Sequence, residues 1–278
     1  MPIGNKMSAL GERGRTKYEH CTTVDEMKKV KENYQDDLFG DEWNYNLPLL
    51  KNATSLFYNN KKIKKFNADI SSLTNGQTMF YNSTLEEFSL PLDSLTSGYY
   101  MFRGTKLHTF HTTNLNNLTN AQSMFYGVFL NIDTWTYDLP NVTNGEWGFP
   151  GGNFKIKQWK GNLNKLSNGY NMFNNQQTLF SFESDLPQLS RADGFMSGTI
   201  LNKQSALRVL TTIPKYTSGT HNLTIGIHID NQFDEDIIAA INSANDNGWN
   251  VTNQWNGNGT KDEIINPAIK EKLQTDLI

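Results

Sequence analysis

The sequence predicts an α/β solenoid, a right-handed coil of about seven to eight repeats with short parallel strands. Two observations support this prediction. An eight-residue block, Leu-Thr-Asn-Gly-Gln-Thr-Met-Phe in its second copy, occurs seven times at intervals of 22 to 24 residues. Each of the first six copies is followed by a shorter pattern, apolar-x-x-aromatic, that suits one strand. The copies span residues 50–57, 73–80, 95–102, 118–125, 142–149, 166–173 and 189–196.

The two parts of a repeat predict different local structures. In the block at 73–80, the apolar residues and the glycine fall at i, i+3, i+6 and i+7, which predicts a short helix or helical turn. The pattern from Leu85 to Phe88 predicts a strand, and stacked strands lie about 4.8 Å apart. Stacking would bring the strand aromatics into one ladder. These are Phe66, Phe88, Phe110, Trp135, Trp159 and Phe182.

The flanking segments predict caps, which a solenoid needs because its terminal coils would otherwise expose the core. Residues 23–26 form a capping box that opens a helix through about Tyr34. Near the other end, residues 223–229 predict a strand, 234–245 a helix and 249–252 a second strand. The predicted divisions are an N-terminal arm at 1–22, a helical cap at 23–49, the solenoid at 50–220, a β-α-β cap at 221–260 and a tail at 261–278.

Composition excludes several classes of function. The formal net charge is only -3 and Lys and Arg are not clustered in a basic patch, so we expect no nucleic-acid partner. No stretch approaches the roughly 20 apolar residues that span a bilayer, so we expect no membrane insertion. The first 20 residues carry four basic side chains without the apolar run of a secretory signal. The lone cysteine, Cys21, allows no intrachain disulfide.

The chemistry-bearing residues predict no enzyme, no cofactor and no metal. His108 and His111 have a spacing that suits a shared metal, but no third ligand accompanies them, so we expect them to be exposed surface residues. His20 and Cys21 lack a third group to orient them and are interpreted as linker. Residues 256–262 alternate oxygen ligands as a calcium loop does but lack the closing glutamate, so a turn is the better interpretation.

The residues on either side of each strand aromatic form the candidate binding face. They are polar, mixed in charge and poor in the Trp, Tyr and Arg that dominate binding hot spots. An ordinary solvated sheet face therefore stays open as the alternative. The candidate residues are Lys65, Asn67, Glu87, Ser89, Thr109, His111, Thr134, Thr136, Gln158, Lys160, Ser181 and Glu183.

The repeat also carries a family resemblance. The block followed by Leu-x-x-Phe resembles the bacterial surface-antigen type of leucine-rich repeat, and its Met-Phe pair is especially similar to repeats of mycoplasma-type lipoproteins. The resemblance covers about residues 50–210. The closing Gly-Trp-x-Val-Thr run at 248–252 is similar to segments that follow such repeats in proteins of gut bacteria and their bacteriophages. The resemblance implies a leucine-rich-repeat fold and a binding or structural role.

We therefore expect a non-enzymatic binding or structural module, a bacteriophage virion component of the tail, fibre or capsid. It would be made in the host cytoplasm and would present its repeats for host attachment or assembly. The alternative is a bacterial cell-surface adhesin domain that binds host protein or glycan. The expected partners are a protein or a surface glycan, with virion assembly partners docking through residues 1–20. Assembly into a homo-oligomer is left open.

Overall fold

The computed structural model describes residues 16–254 and has an α/β fold with three small parallel sheets and few helices. The chain divides after Leu130 into two compact units, residues 1–130 and 131–278, called the first and second unit below. Residues 1–15 of the predicted arm lie outside the described residues, as do the predicted turn at 256–262 and the tail at 261–278.

The first unit contains one helix, one short 3-10 helix and one parallel sheet among its described residues. Helix α1 spans Val24–Val30, and the 3-10 helix spans Tyr34–Asp36. The strands are β1 (Glu42–Trp43), β2 (Lys65–Phe66), β3 (Glu87–Ser89) and β4 (Thr109–His111). They pair in parallel in the order β1-β2-β3-β4, so each repeat contributes one strand beside the strand of the repeat before it.

The helix begins where the sequence predicts and ends earlier. The hydroxyl of Thr23 accepts a hydrogen bond from the Glu26 backbone N–H at 3.3 Å, and the Glu26 carboxylate accepts one from Thr22 N–H at 2.6 Å. Lys31 then adopts an extended conformation, so the helix stops at Val30 rather than near Tyr34. Tyr34 instead packs its buried ring against Trp43, with the ring centroids 6.3 Å apart.

The residues just before α1 are packed into the first unit. Tyr18 is fully buried, its ring centroid lies 5.4 Å from that of Trp43, and its hydroxyl donates to Asp37 at 2.6 Å. Cys21 is also buried, and burial raises the pKa of its thiol. The residues from Thr16 onward are therefore part of the folded unit rather than a free linker.

The blocks are not helical, so the helical-turn prediction was wrong. Alternate backbone N–H groups bond in two directions: Leu56 N–H donates within its copy to Ala53 at 3.0 Å, whereas Phe57 N–H donates to Met79 of the next copy at 2.7 Å. Ser55, at the sixth block position, has a left-handed φ of 59°. In a helix, every backbone N–H would donate within its own segment. In the blocks, alternate N–H groups donate to the next copy instead.

The recurring Asn and Gly of the block have separate structural reasons. The Asn75 side chain accepts a hydrogen bond from Gln77 N–H at 2.9 Å, which is an Asx turn, and the same bond forms in other copies. A Cβ on Gly76 would lie 2.8 Å from the sulfur of Met101, and one on Gly98 would lie 2.6 Å from that of Met124. The glycine thus leaves room for the methionine of the following copy.

Two aromatic ladders form the core of the first unit. The block phenylalanines stack, with centroids 5.9 Å apart for Phe57 and Phe80 and 5.8 Å apart for Phe80 and Phe102. On the strands, Phe88 and Phe110 stack with their ring centroids 6.0 Å apart, as predicted for neighbouring strand aromatics. Phe102 meets Phe110 edge to face at 5.7 Å, so the two ladders interlock.

The second unit contains two parallel sheets. Strands β5 (Asn131–Trp135), β6 (Lys155–Trp159) and β7 (Ser181–Phe182) pair in that order, and Trp135 stacks on Trp159 at 5.3 Å. The other sheet has the order β10-β9-β8, with β8 at Ala192–Leu201, β9 at His221–Ile227 and β10 at Trp249–Asn253. Helix α2 (Lys203–Thr212) connects β8 to β9, and α3 (Glu235–Asp246) lies between β9 and β10, after a 3-10 turn at Ile229–Asn231.

The predicted strand-helix-strand segment is present as β9, α3 and β10, with bounds shifted by one or two residues. Strand β8 and helix α2 were not predicted, because the solenoid was expected to continue to residue 220. The last block, at 189–196, runs into β8 instead of forming the turns of the other copies. The Asn202 side chain caps α2 by accepting a hydrogen bond from Ser205 N–H at 2.9 Å. An Asn at this position is a typical sign of a helix N-terminus.

Candidate functional site

The predicted binding row lies along the sheets of each unit. Strand pairing sets Lys65, Glu87 and Thr109 side by side in the first unit. It sets Thr134, Gln158 and Ser181 side by side in the second. All six are half-buried, because each precedes a buried aromatic residue. The six residues that follow the aromatics are exposed: Asn67, Ser89, His111, Thr136, Lys160 and Glu183.

The charges of this row are paired with one another. Lys65 reaches Glu87 at 3.3 Å across the sheet, and Lys160 reaches Glu183 at 3.4 Å. The side-chain amide of Asn67 donates to Asn44 at 3.0 Å. Exposed pairs of this kind contribute little to stability, but they leave few unmet charges for a partner. The pairing favours the interpretation of an ordinary solvated sheet face.

Neither of the two histidines at strand β4 lies in a ligand cluster. His108 and His111 are both exposed, and His108 Nδ1 lies 3.1 Å from the hydroxyl of Thr109. Within residues 16–254, no group of three or more His, Cys, Asp or Glu side chains is arranged to hold a metal ion.

A row of aromatic side chains that the sequence analysis did not single out lies along the turns of the first unit. Tyr58 stacks on Tyr81 with centroids 5.1 Å apart, and Tyr81 lies 6.0 Å from Tyr100. The Arg103 guanidinium carbon lies 4.7 Å from the ring centroid of Tyr100 and 4.2 Å from that of Tyr126. These five residues are called the tyrosine row.

The turn geometry explains where these side chains lie. Tyr58, Tyr81, Arg103 and Tyr126 each follow the buried phenylalanine of their block, at the first position after it. Tyr100 instead occupies the sixth block position and has a left-handed φ of 56°. Such a conformation is unfavourable for a bulky residue, and its N–H bond to Gln122 of the next copy, at 3.0 Å, holds it there. Comparing the positions just outside the block would have found most of the row.

The two stacked arginines differ in how their charges are balanced. Arg191, in the second unit, lies over Tyr170 with its guanidinium carbon 4.1 Å from the ring centroid, and it pairs with Glu146 at 3.0 Å. Arg103 donates to the hydroxyl of Ser123 at 3.3 Å, and no ion pair joins it to a carboxylate among residues 16–254. The charge of Arg103 is therefore not neutralised by a described neighbour.

A charged cluster near the N-terminus serves the fold. The Asp37 carboxylate accepts hydrogen bonds from Lys17, Lys31 and Tyr18. Burial tends to raise the pKa of Asp37, but these three donors outweigh it and hold that pKa below its usual value. Burial, with the hydrogen bond to Asp37, raises the pKa of Tyr18. The cluster ties the residues before α1 to those after it.

A small cavity lies between the carboxyl ends of α2 and α3. Its volume is about 210 Å³, and Leu210, Pro214 and Trp249 are among its lining residues. The indole N–H of Trp249 donates to Pro214 O at 2.8 Å. The lining includes Lys215, Thr211 and Ser243 but no Asp, Glu, His or Cys.

Comparison of the chain with protein-family models, with curated proteins and with solved structures gave no match. In the described part of the chain, none of the helices has the length and apolar character required to cross a membrane.

Proposed function

We propose that this protein is a non-enzymatic binding or structural module, a component of a bacteriophage particle that presents its repeats for host attachment or assembly. The observation that supports this best is the in-register pairing of successive repeats within each unit. Equivalent positions, such as Tyr58 and Tyr81 after the buried phenylalanines, thereby recur from copy to copy. A regular row of side chains on a rigid framework suits recognition of a large partner.

We further propose that each unit is a segment of a right-handed, leucine-rich-repeat-type solenoid. The parallel strands and the hydrogen bonds from each block to the next copy support this. The virion location has its support in the closing run at 248–252, which is similar to segments that follow such repeats in proteins of gut bacteria and their bacteriophages. The alternative location is the bacterial cell surface, as an adhesin.

The connection to a particle would come from the N-terminal segment. The proposed docking arm covers residues 1–20, but Tyr18 packs against Trp43 in the first unit. We therefore narrow the proposed arm to residues 1–15. The partner at the repeats would be a protein or a surface glycan.

Mass spectrometry of density-purified bacteriophage particles from the source culture tests this function. We expect the full chain in the particles and expect a variant that lacks residues 1–15 to be missing from them. Thermal melting of the purified variant should remain unchanged, because the deletion stops before Tyr18. Detection of the chain in the bacterial envelope fraction and not in particles would favour the adhesin alternative.

A further inference from the structure

In the first unit's repeats, basic residues lie on both a turn side and a strand side, the latter through Lys64 and Lys65, whereas acidic residues lie on the strand side alone. The turn side, at 51–62, 74–84, 96–106 and 119–129, contains five basic residues and no Asp or Glu. These are Lys51, Lys61, Lys62, Arg103 and Lys106. The acidic residues of these repeats all fall on the strand side, at 63–73 and 85–95. Lys62 pairs with Asp36 at 3.3 Å, and the turn side still retains a net positive charge.

The tyrosine row lies on this turn side and consists of four tyrosines and one arginine, residue types that are enriched in protein-binding surfaces. Tyrosine, serine, asparagine and glycine with a central arginine are the residues that antibody loops use most. Tyr58 is 43% exposed and the other four members are half-buried. Because stacking already restrains these side chains, they would lose little conformational entropy when a partner binds.

The stacking also indicates which kind of partner fits. The rings of Tyr58 and Tyr81 are parallel to within 6°, and Arg103 covers a face of Tyr100 and of Tyr126. Single-stranded nucleic acids bind by stacking their bases on open ring faces, and a sugar ring packs on aromatic rings in the same way. Each tyrosine of this row has at least one face covered by a neighbouring ring or by Arg103, so ring edges, hydroxyl groups and the guanidinium make up much of what a partner would meet. A protein surface fits these groups best.

We propose that the tyrosine row binds an acidic surface of a folded protein, with Arg103 paired to a carboxylate of that partner. This inference rests on the proposed binding function and names the class of partner. Charge complementarity between the basic turn side and an acidic partner would speed association and select against basic surfaces. Arg191 provides the internal comparison, because it already pairs with Glu146.

The test uses the intact chain and a yeast-displayed library of one small folded domain with a randomised surface patch. We expect selected binders to be enriched in Asp and Glu. Their affinity should fall at least tenfold for Arg103→Ala and for Tyr81→Ala, and should be unchanged for Arg191→Ala. Arg103→Lys should retain part of the binding, because it keeps the charge but loses the planar stack. Thermal melts of all four variants establish that they are folded.

Three results would overturn this inference. The first is a set of binders that shows no acidic enrichment. The second is a set whose affinity is unaffected by Arg103→Ala but falls with Lys160→Ala, which would move binding to the strand row and leave the binding-module proposal intact. The third is Arg103-dependent binding of polygalacturonate or of an oligothymidylate without acidic binders, which would assign the surface to a glycan or to a nucleic acid.

Discussion

At the scale of single residues, the Asp37 carboxylate links the residues before α1 to those after it. Only 10% of its side chain is accessible to solvent, and its partners are Lys17 and Tyr18 before α1 and Lys31 directly after it. A carboxylate that receives several donors is stabilised in its charged form. Its ionisation and the packing of Tyr18 against the unit are therefore coupled.

This coupling predicts a pH dependence of stability. The pKa of Asp37 is lower in the folded state than in the unfolded state. The contribution of the ionised carboxylate to the free energy of unfolding is therefore present above the unfolded-state pKa of about 3.9, and it is lost as the pH falls through the folded-state pKa. Asp37→Asn should lower the free energy of unfolding at pH 7, and the difference from wild type should shrink towards pH 3. Urea titrations at pH 7 and pH 3 measure the difference in the free energy of unfolding between the variant and wild type.

Asp133→Asn is the control for this prediction, since Asp133 is highly exposed and pairs with Lys157 at 2.6 Å on the surface. Its effect on unfolding should be small at both pH values. A difference between Asp37→Asn and wild type that is the same at pH 3 and pH 7 would contradict the proposed coupling.

At the scale of elements, the C-terminal sheet depends on a close backbone approach. Gly226 in β9 lies against Thr199 of β8, and an added Cβ would overlap the Thr199 carbonyl oxygen and lie 2.7 Å from its backbone nitrogen. The hydroxyl of Thr199 also donates to Gly226 O at 2.9 Å. A side chain at position 226 would force the two strands apart.

Gly226→Ala should therefore lower the free energy of unfolding by about 3 kcal/mol, the upper part of the usual range for overpacking. Thr224→Ala in the same strand, where the side chain is half-buried, should change it by far less. Urea denaturation followed by tryptophan fluorescence compares the two variants. Equal stabilities would show that the β8–β9 contact is looser than described.

The elements also show how far the sequence could predict this fold. The spacing of hydrophobic residues located the strand aromatics and the β9-α3-β10 segment, because these residues are buried and burial determines their spacing. It failed in the blocks, since a chain of turns with bonds to the next copy places apolar residues at the same intervals as a helix. The left-handed conformation of Tyr100 is imposed by its neighbour copy, so local propensity could not reveal it.

The sequence predicted one part of the candidate site, the polar strand row, but not the tyrosine row. Alternation along the strands identified the polar row, such as Glu87 beside Lys65, but could not reveal that the charges pair across the sheet. The tyrosine row is formed by residues about 23 positions apart in sequence, as the pair Tyr58 and Tyr81 illustrates. Only the register between copies brings them together.

At the scale of the whole molecule, contacts within each unit join a copy mainly to the copies beside it. Phe110 illustrates this, because its ring meets Phe102 of its own repeat, Phe88 of the repeat before and Phe125 of the next block. In repeat architectures, stability is approximately a sum of such neighbour terms. Removing a buried side chain from one copy should therefore destabilise the adjacent copies most.

Phe110→Ala should lower the free energy of unfolding by about 3 to 5 kcal/mol, as removal of a buried aromatic does. Amide hydrogen exchange should accelerate first in the blocks at 95–102 and 118–125. Phe129→Ala, which removes a ring that is 49% exposed, should leave both measurements nearly unchanged. A melting temperature for Phe110→Ala equal to that of wild type would contradict the repeat register.

The alternating hydrogen bonds of the blocks also set an order for folding during synthesis. On the turn side, the N–H groups of Ala53, Ser55, Phe57 and Asn59 all donate to carbonyls of the following copy, which the ribosome makes later. A newly emerged copy therefore has donors that remain unmet until about 23 more residues have left the exit tunnel. The nascent chain should consequently gain structure with a lag of one repeat, each copy being completed by its successor.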